Sequence, residues 1–331
     1  MLEWAIRKRL RELPNIEFVE ECRVLGLVGN SSKAQITGVK LQTAGCDVEE
    51  LFADLVVDAS GRGSNAPHWL ENLGFAKPPD TVINPFLGYA TRRYKQPENF
   101  TSDWKVMLVS QQAPDNKRLG YLAKIENGEW IATLGGYGCD FPPLEDKGFL
   151  EFASSLASPQ FYKAIKYAEP VSPIYAHRAT ANRLRHYEKI KMPQGFVALG
   201  DAVCALCPVY GQGMTVSALS AMELKNWLHD DPKSITSRFQ KRLVKSNALH
   251  WMMATQQDSQ FPTTSGVERE GNKKKPNFIE SLFAWYNQKA MSTMHCDPSL
   301  HTLFMEIAHL LKSPFALYHP QVIFRVLQKK S

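Results

Sequence analysis

The segment Gly195-Phe-Val-Ala-Leu-Gly200-Asp201-Ala-Val-Cys204-Ala-Leu-Cys207-Pro208-Val-Tyr210-Gly211-Gln212-Gly213-Met214 constrains this chain more than any other. The apolar run Phe196–Leu199 reads as a buried strand, and Gly200-Asp201 delivers a carboxylate at its end. Pro208 closes the loop that follows. Gly211 and Gly213 let the backbone approach a flat group closely. A helix from about Met214 points its positive N-terminus at an anion in the same place. Strand, acidic turn and glycine-bracketed helix start predict an α/β fold with a binding site at the strand's carboxyl end.

A second strand end has the same character. Leu51-Phe-Ala-Asp-Leu-Val-Val-Asp58 predicts one mostly apolar strand in a buried parallel position. It runs into Ala59-Ser60-Gly61-Arg62-Gly63-Ser64, where two glycines permit a sharp turn toward an anion.

In this order, the two segments resemble the Asp-Gly and Gly-Asp fingerprints of the FAD-dependent monooxygenases, the aromatic hydroxylase and epoxidase group. The Asp-Ala-Ser-Gly form at 58–61 is similar to that of flavin halogenases and prenyl reductases. The resemblance implies that Asp201, following Gly200, holds the ribityl chain of FAD. It implies that the backbone of Pro208, Gly211, Gln212, Gly213 and Met214 faces the flavin pyrimidine edge. Asp58, Ser60 and Gly61 would help enclose FAD near its pyrophosphate. Val24, on an early strand, would touch the adenine, although a plain core valine is the other reading of that position.

Members of that family open with a strand, a Gly-x-Gly-x-x-Gly turn and a helix that cradle the pyrophosphate. Gly61-Arg-Gly63 lacks the third glycine, and Gly135-Gly136-Tyr-Gly138 runs into Cys139-Asp-Phe-Pro-Pro, which cannot open a helix. The chain starts inside an amphipathic helix that follows the nucleotide-binding unit in the resembled family. The expectation is a member without its first segment, roughly a hundred residues. The alternative to a working flavoenzyme is then an inactive fragment, or half of a split flavoenzyme completed by a second chain.

Composition excludes little beyond this. The 331 residues are 44% hydrophobic and 22% charged, the make-up of a globular protein with one large or two ordinary domains. The net charge of +6 (39 basic minus 33 acidic) is too small to argue for nucleic acid. Lys273-Lys274-Lys275 reads as a solvated loop. Six scattered cysteines make no disulfide framework, and no apolar leader is visible, so the cytoplasm is the expected location. No run of 18 apolar residues predicts a transmembrane helix. Pro314-Phe-Ala-Leu-Tyr318 and Lys329-Lys330 leave weak contact with a membrane surface open.

Along the chain, residues 1–13 predict a helix on Leu2, Ala5, Ile6, Leu10 and Leu13. Residues 16–28 predict a strand with Phe18, Cys22, Val24 and Val28 in the core, then a turn at 30–33 and a strand at 36–41. Four short strands are expected at 86–94, 104–110, 118–125 and 130–137, with Asn127-Gly128 as a hairpin signal. The resemblance makes this antiparallel sheet the roof of a substrate pocket. Helices broken near Pro159 fill 143–168, and a strand returns at 174–179. A helix over 214–229 would pack through Ser217, Ala218 and Ala221. Further helices follow at 232–257, 278–294, 298–312 and 320–330, with a polar loop over 260–277. The organisation expected is a partial Rossmann-like FAD-binding domain over 1–83 and 180–229, an α+β substrate region over 84–179, and a helical region over 230–331.

Cys204-Ala-Leu-Cys207 has redox or metal spacing. Because Pro208–Gly213 separates it from the helix, two small packing cysteines are the better reading. Tyr210 sits in the cofactor-facing loop and Tyr89 and Arg92 on the roof, and these three are the pocket candidates. Alternation sends Tyr89 and Arg93 to one face and Arg92 to the other. His177-Arg178 and Arg185-His186-Tyr187 read as ties between segments rather than an anion site. Trp251, Met252 and Met253 read as core or pocket wall. The resemblance implies a monooxygenase that takes electrons from NAD(P)H and acts through a flavin hydroperoxide on an apolar small molecule. Halogenation and prenyl reduction stay open as alternatives.

Overall fold

The computed structural model describes residues 2–30, 34–98, 100–101, 104–230, 236–267, 278–294 and 296–328. Most of the turn at 30–33, the lysine run 273–275 and Lys329-Lys330 lie outside the described residues. The chain divides into two units, 1–265 and 266–331.

The first unit opens with α1 (Leu2–Arg11), whose expected apolar contacts do not form: none of its residues is buried. Charge ties it to the segment that follows. Arg7 and Arg11 each reach Glu20 at 2.6 Å, and both guanidinium groups lie over the Phe18 ring. The strand expected over 16–28 begins only at Cys22. β1 (Cys22–Gly29) pairs antiparallel with β2 (Ile36–Thr43), which pairs antiparallel with β3 (Glu49–Phe52). Of the four residues expected in the β1 core none is buried; Leu27 is the buried one. Gly38 is required where β2 meets β3, since a Cβ there would stand 2.2 Å from the Leu51 carbonyl oxygen.

The single strand expected over 51–58 is two strands. β3, exposed along its length, ends at Phe52, and the chain then changes partner. β4 (Val56–Asp58) runs parallel to β12 (Phe196–Ala198), with Ala198 opposite Asp58. The parallel position predicted for this stretch therefore holds only for its last three residues. Helix α2 (Ala66–Asn72) follows β4 with Pro67 in its first turn. β5 (Asp80–Ile83) pairs with β11 (Asn182–Arg185), which also pairs with β13 (Cys204–Ala205).

The predicted antiparallel sheet is present. It contains β6 (Gly88–Lys95), β7 (Val106–Val109), β8 (Arg118–Lys124), β9 (Glu129–Gly136) and β10 (Tyr175–His177) in the order β10-β6-β9-β8-β7. Asn127 and Gly128 turn the β8–β9 hairpin with φ of +62° and +67°, the left-handed values that Asn-Gly supplies cheaply. Alternation gives the sheet two working faces. Ala90, Tyr94, Leu122, Trp130, Ala132 and Leu134 pack against Phe149 and Phe152 of α3 (Asp146–Ser154) and Phe161 and Ile165 of α4 (Pro159–Ile165). The opposite face carries Tyr89, Thr91, Leu119, Tyr121 and Thr133.

After β12 and β13 come α5 (Gly213–Asp230) and α6 (Thr236–Asp258). The buried residues of α5 are Val216, Ser220 and Trp227; Ala218 and Ala221, expected at the packing face, are exposed. The α6 helix packs on α5, β11 and β12, and so lies in the first unit although the sequence grouped it with the C-terminal helices. Met252 is 51% exposed on α6, outside the core expected for it. In the second unit, α7 (Phe278–Met294), α8 (Pro298–Ala308) and α9 (Pro320–Gln328) bury Tyr286, Ala290, Leu300 and Val326 together. No helix of the described residues is long and apolar enough to cross a membrane.

Candidate functional site

The parallel pair β4 and β12 places two aspartates at the same end of the first unit. Asp58 ends β4, and Asp201 follows β12 by three residues. Their carboxylates have different partners. Asp58 is buried, and its Oδ1 accepts from Ser60 N at 2.9 Å and Ser60 Oγ at 2.5 Å. Its Oδ2 accepts from Ser64 Oγ at 2.5 Å, and Ser64 Oγ in turn accepts from Ala66 N at the start of α2. Asp58 thus folds its own loop. Gly61 takes φ of +82°, and space is open where Cβ atoms on Gly61 and Gly63 would stand.

Asp201 is half-buried beside the start of α5. Gly200 needs φ of +59° to place it, and a Cβ on Gly200 would press on Ser217 Oγ at 3.2 Å. Asp201 Oδ1 lies 3.9 Å from where a Gly213 side chain would begin. Burial pushes the Asp201 carboxyl up from its ordinary range. The Arg62 charge and a hydrogen bond with Ser217 pull it back. Arg62 is fixed by the carbonyl oxygens of Ala181 and Leu206, the latter at 2.7 Å. Arg185 braces the same junction, donating to Ala202 O and Arg62 O at 2.9 Å each. The result is a carboxylate at a helix N-terminus with backbone glycines around it, a setting suited to hydroxyl and anion recognition.

The loop over 207–213 continues from there. Gly211 adopts φ of +65° with open space on its Cβ side, so a flat group can lie against this backbone. Gln212 is buried and Met214 is 73% exposed. Beneath the loop is a polar knot. Tyr210 Oη donates to Asp258 Oδ1 at 2.5 Å, and Asn182 Nδ2 donates to Asp258 Oδ2 at 2.6 Å. Asn182 Oδ1 accepts Cys207 N at 2.7 Å. Cys204 and Cys207 are buried free thiols that burial pushes up to about 12, the behaviour of packing residues.

A half-open cavity of about 450 Å³ lies between this loop and the roof sheet. Pro208, Val209 and Gly211 form one wall. Tyr89, Thr91, Leu108, Leu119, Tyr121, Thr133 and His177 form the other. Thr91 and Thr133 share a hydrogen bond at 2.8 Å across the strands, and the Tyr89 and His177 rings stack with centroids 6.4 Å apart. The lining is mostly apolar with a few hydroxyls, the usual make-up of a small-molecule pocket.

Of the residues singled out in sequence, the fold brings Gly200, Asp201, Pro208, Gly211, Gln212, Gly213, Met214 and Tyr210 to one edge, with Tyr89 across the cavity. Asp58, Ser60 and Gly61 form the neighbouring strand-end loop. Arg92 faces the helices instead: it pairs with Asp146 at 2.9 Å and with Ser172 O at 3.0 Å, and so is no cavity residue. Arg93 pairs with Glu129 at the solvent side. Val24 is 42% exposed on β1, so the core reading of it is wrong. His186 is a tie, held between Thr81 Oγ1 and Glu188 Oε1 at 2.8 Å each, and Arg178 lies over Phe141. Sequence reasoning missed Arg62, Asn182 and Asp258. Arg62 stands between two glycines in the turn itself and carried a signal. Asn182 and Asp258 are distant in sequence from the motif and carried none.

No family model matches the chain. Protein Rv3254 of Mycobacterium tuberculosis is 29% identical over 98% of this chain and 69% of its own length. The myxobacterial chondrochloren halogenase CndH, an FAD-dependent halogenase, superposes with a TM-score of 0.60 at 12% identity, covering 94% of this chain and 73% of that one. The OxyS anhydrotetracycline hydroxylase from Streptomyces rimosus gives 0.59 at 14%, covering 94% and 56%. The chain spans 61% of a flavin-dependent brominase structure, so it matches a part of these longer proteins. At these identities the likeness is one of fold: mixed helices and sheets in the Rossmann-like arrangement of flavoenzymes.

Proposed function

We propose that this chain is a flavin-dependent oxidoreductase acting on an apolar small molecule in the 450 Å³ cavity, with monooxygenation as its reaction and NAD(P)H as electron donor. The observation that carries the reading is the juxtaposition of Asp201, the glycine-lined 208–213 backbone and that cavity on one edge. The residues fit the flavin end of FAD. A half-buried carboxylate at a helix start suits a ribityl hydroxyl, and the open space beside Gly211 admits a flat ring. Asp58 fits only as the framework of its loop, since both its oxygens are taken; Ser60, Gly61 and Gly63 offer backbone and space instead.

A bound flavin would supply the electron transfer and oxygen activation. The chain's own groups hold and orient. Asp201 accepts a hydrogen bond from a hydroxyl, the start of α5 stabilises negative charge placed against it, and Leu119 and Val209 give the cavity an apolar wall. No side-chain nucleophile is needed, so the reading serves halogenation as well as oxygenation.

A second reading, a chain that works with a partner polypeptide, is favoured by the exposed apolar side chains Leu2, Trp4, Ile6, Leu25 and Val57 of the first unit. An absorption spectrum of the purified chain followed by titration with FAD tests the first reading. Yellow flavin bound by the wild type and lost in Asp201→Ala supports it. A wild-type chain that stays colourless at saturating FAD sinks it for the chain alone.

A further inference from the structure

We infer that Asp258, 48 residues beyond Tyr210, is the positioning residue that fixes the 208–211 loop, and through it the backbone offered to the proposed flavin. The inference rests on the flavin reading for its functional meaning, and on geometry for everything else. Asp258 is the last residue of α6 and fully buried, and one carboxylate ties three separate elements. Oδ1 holds Tyr210 of the loop at 2.5 Å and touches the Tyr137 hydroxyl, just past β9, at 3.5 Å. Oδ2 holds Asn182 of β11, and Asn182 holds the backbone N–H of Cys207, the residue at which the loop begins. The loop is therefore gripped at both ends from a single group. The backbone carbonyl of Asp258 is itself fixed, accepting from Thr264 Oγ1 at 2.6 Å. Tyr210 does not line the cavity, so its hydroxyl serves the tether and not the substrate space.

A carboxylate is an expensive choice for this place. Its partners Tyr137 and Tyr210 belong to an apolar cluster with Leu119 and Phe261, and it stands fully buried at the negative end of a helix. Burial pushes it from 3.8 up to about 6, while hydrogen bonds from Tyr210, Asn182 and Tyr137 work the other way. The ionisable groups facing it are Tyr210 and Tyr137, with Cys207 of the loop and Tyr89 of β6 behind them. Burial pushes all four up, so they stay neutral. Among the described residues no cation pairs with it. An ionised group accepts from several donors at once and binds each more strongly than a neutral one. That accounts for a carboxylate where three donors from three elements must be gathered.

Hydrogen–deuterium exchange of peptides covering 208–213 in the purified full chain tests the tether without any flavin. Tyr210→Phe and Asp258→Ala should each raise exchange there about ten-fold, with the β8–β9 hairpin unchanged. Asp258→Asn keeps one oxygen acceptor for Tyr210 but sets an amide NH2 against the donor Asn182 Nδ2, so its loop exchange should fall between that of the wild type and Asp258→Ala. Should Asp258→Ala fail to fold, Tyr210→Phe removes a single oxygen atom and carries the test. Loop exchange in Tyr210→Phe equal to that of the wild type overturns the inference.

A pH series of thermal melts separates a tether from mere packing. The folded state binds the Asp258 proton more tightly than the unfolded state, so stability falls as pH rises from 3.8 through about 6 and then levels. Asp258→Asn should abolish that step. Tyr210→Phe, by removing a donor to the charged form, should move it to higher pH; an unmoved step counts against the tether. FAD titration then joins the two levels. A wild type that takes up no FAD but shows the exchange result leaves the tether standing and the flavin reading fallen. FAD bound equally by wild type and Tyr210→Phe, with the loop unchanged, does the reverse.

Discussion

Asp58 and Asp201 lie at the same end of a parallel strand pair, yet one carboxylate is filled by hydroxyls of its own loop and the other is half-buried beside a helix start. Asp58 has both oxygens filled by Ser60 and Ser64 within six residues of itself. Asp201 has Ser217 on one side, the Arg62 charge nearby, and a half-open face toward Gly213. The same residue type at the same end of the pair, one closing its strand and the other three residues beyond it, meets different partners because of what the next few residues supply. Serines two and six positions on capture the first. A backbone turn at Gly200 sends the second to the start of α5, where Ser217 and the Arg62 charge are its partners.

The largest effect that would test this contrast is on stability. Asp58→Ala leaves two serine hydroxyls and a backbone N–H without their acceptor. It should destabilise the first unit by about 2–4 kcal/mol in a chemical melt. Asp201→Ala should change stability by within about 1 kcal/mol. Equal losses in the two variants would break the division into framework and ligand residue. Next in size is the binding effect. Asp201→Ala should weaken FAD uptake at least about ten-fold if the proposed charge-assisted hydrogen bond to a cofactor hydroxyl forms. A spectrophotometric titration that finds no change would return Asp201 to the framework class.

Much of this was legible in the chain. Alternation and the Asn127-Gly128 signal gave the roof sheet, because both act within a few residues. The glycine-bracketed segment over 195–214 gave the strand, the turn and the helix start for the same reason. What sequence misplaced were residues whose surroundings are set from far away. The stretch 51–58 reads as one mostly apolar strand, but its start pairs with β2 and its end with β12, and no local feature marks the exchange. Arg92 and Tyr89 look alike as pocket candidates until α3 is placed, when Asp146 claims the arginine. Asp258 reads as an ordinary polar helix end. Its role exists only because Asn182, Tyr137 and Tyr210 converge on it from three other elements.

The smallest effects separate backbone conformation from the space it leaves. Gly63 has no need of a left-handed conformation, and a methyl group on it would meet nothing within 4 Å. Gly63→Ala should therefore leave stability within about 0.5 kcal/mol of the wild type. Gly211 also faces open space, but its φ of +65° makes Gly211→Ala cost about 1 kcal/mol by strain alone. If the open space at both glycines is occupied by cofactor, both variants should weaken FAD binding several-fold despite their different stability costs. Binding that follows stability instead, lost in Gly211→Ala and intact in Gly63→Ala, would confine the cofactor to the 208–213 loop. The Asp58 turn would then be a structural element only, and the contrast between the two strand ends would extend from their carboxylates to their glycines.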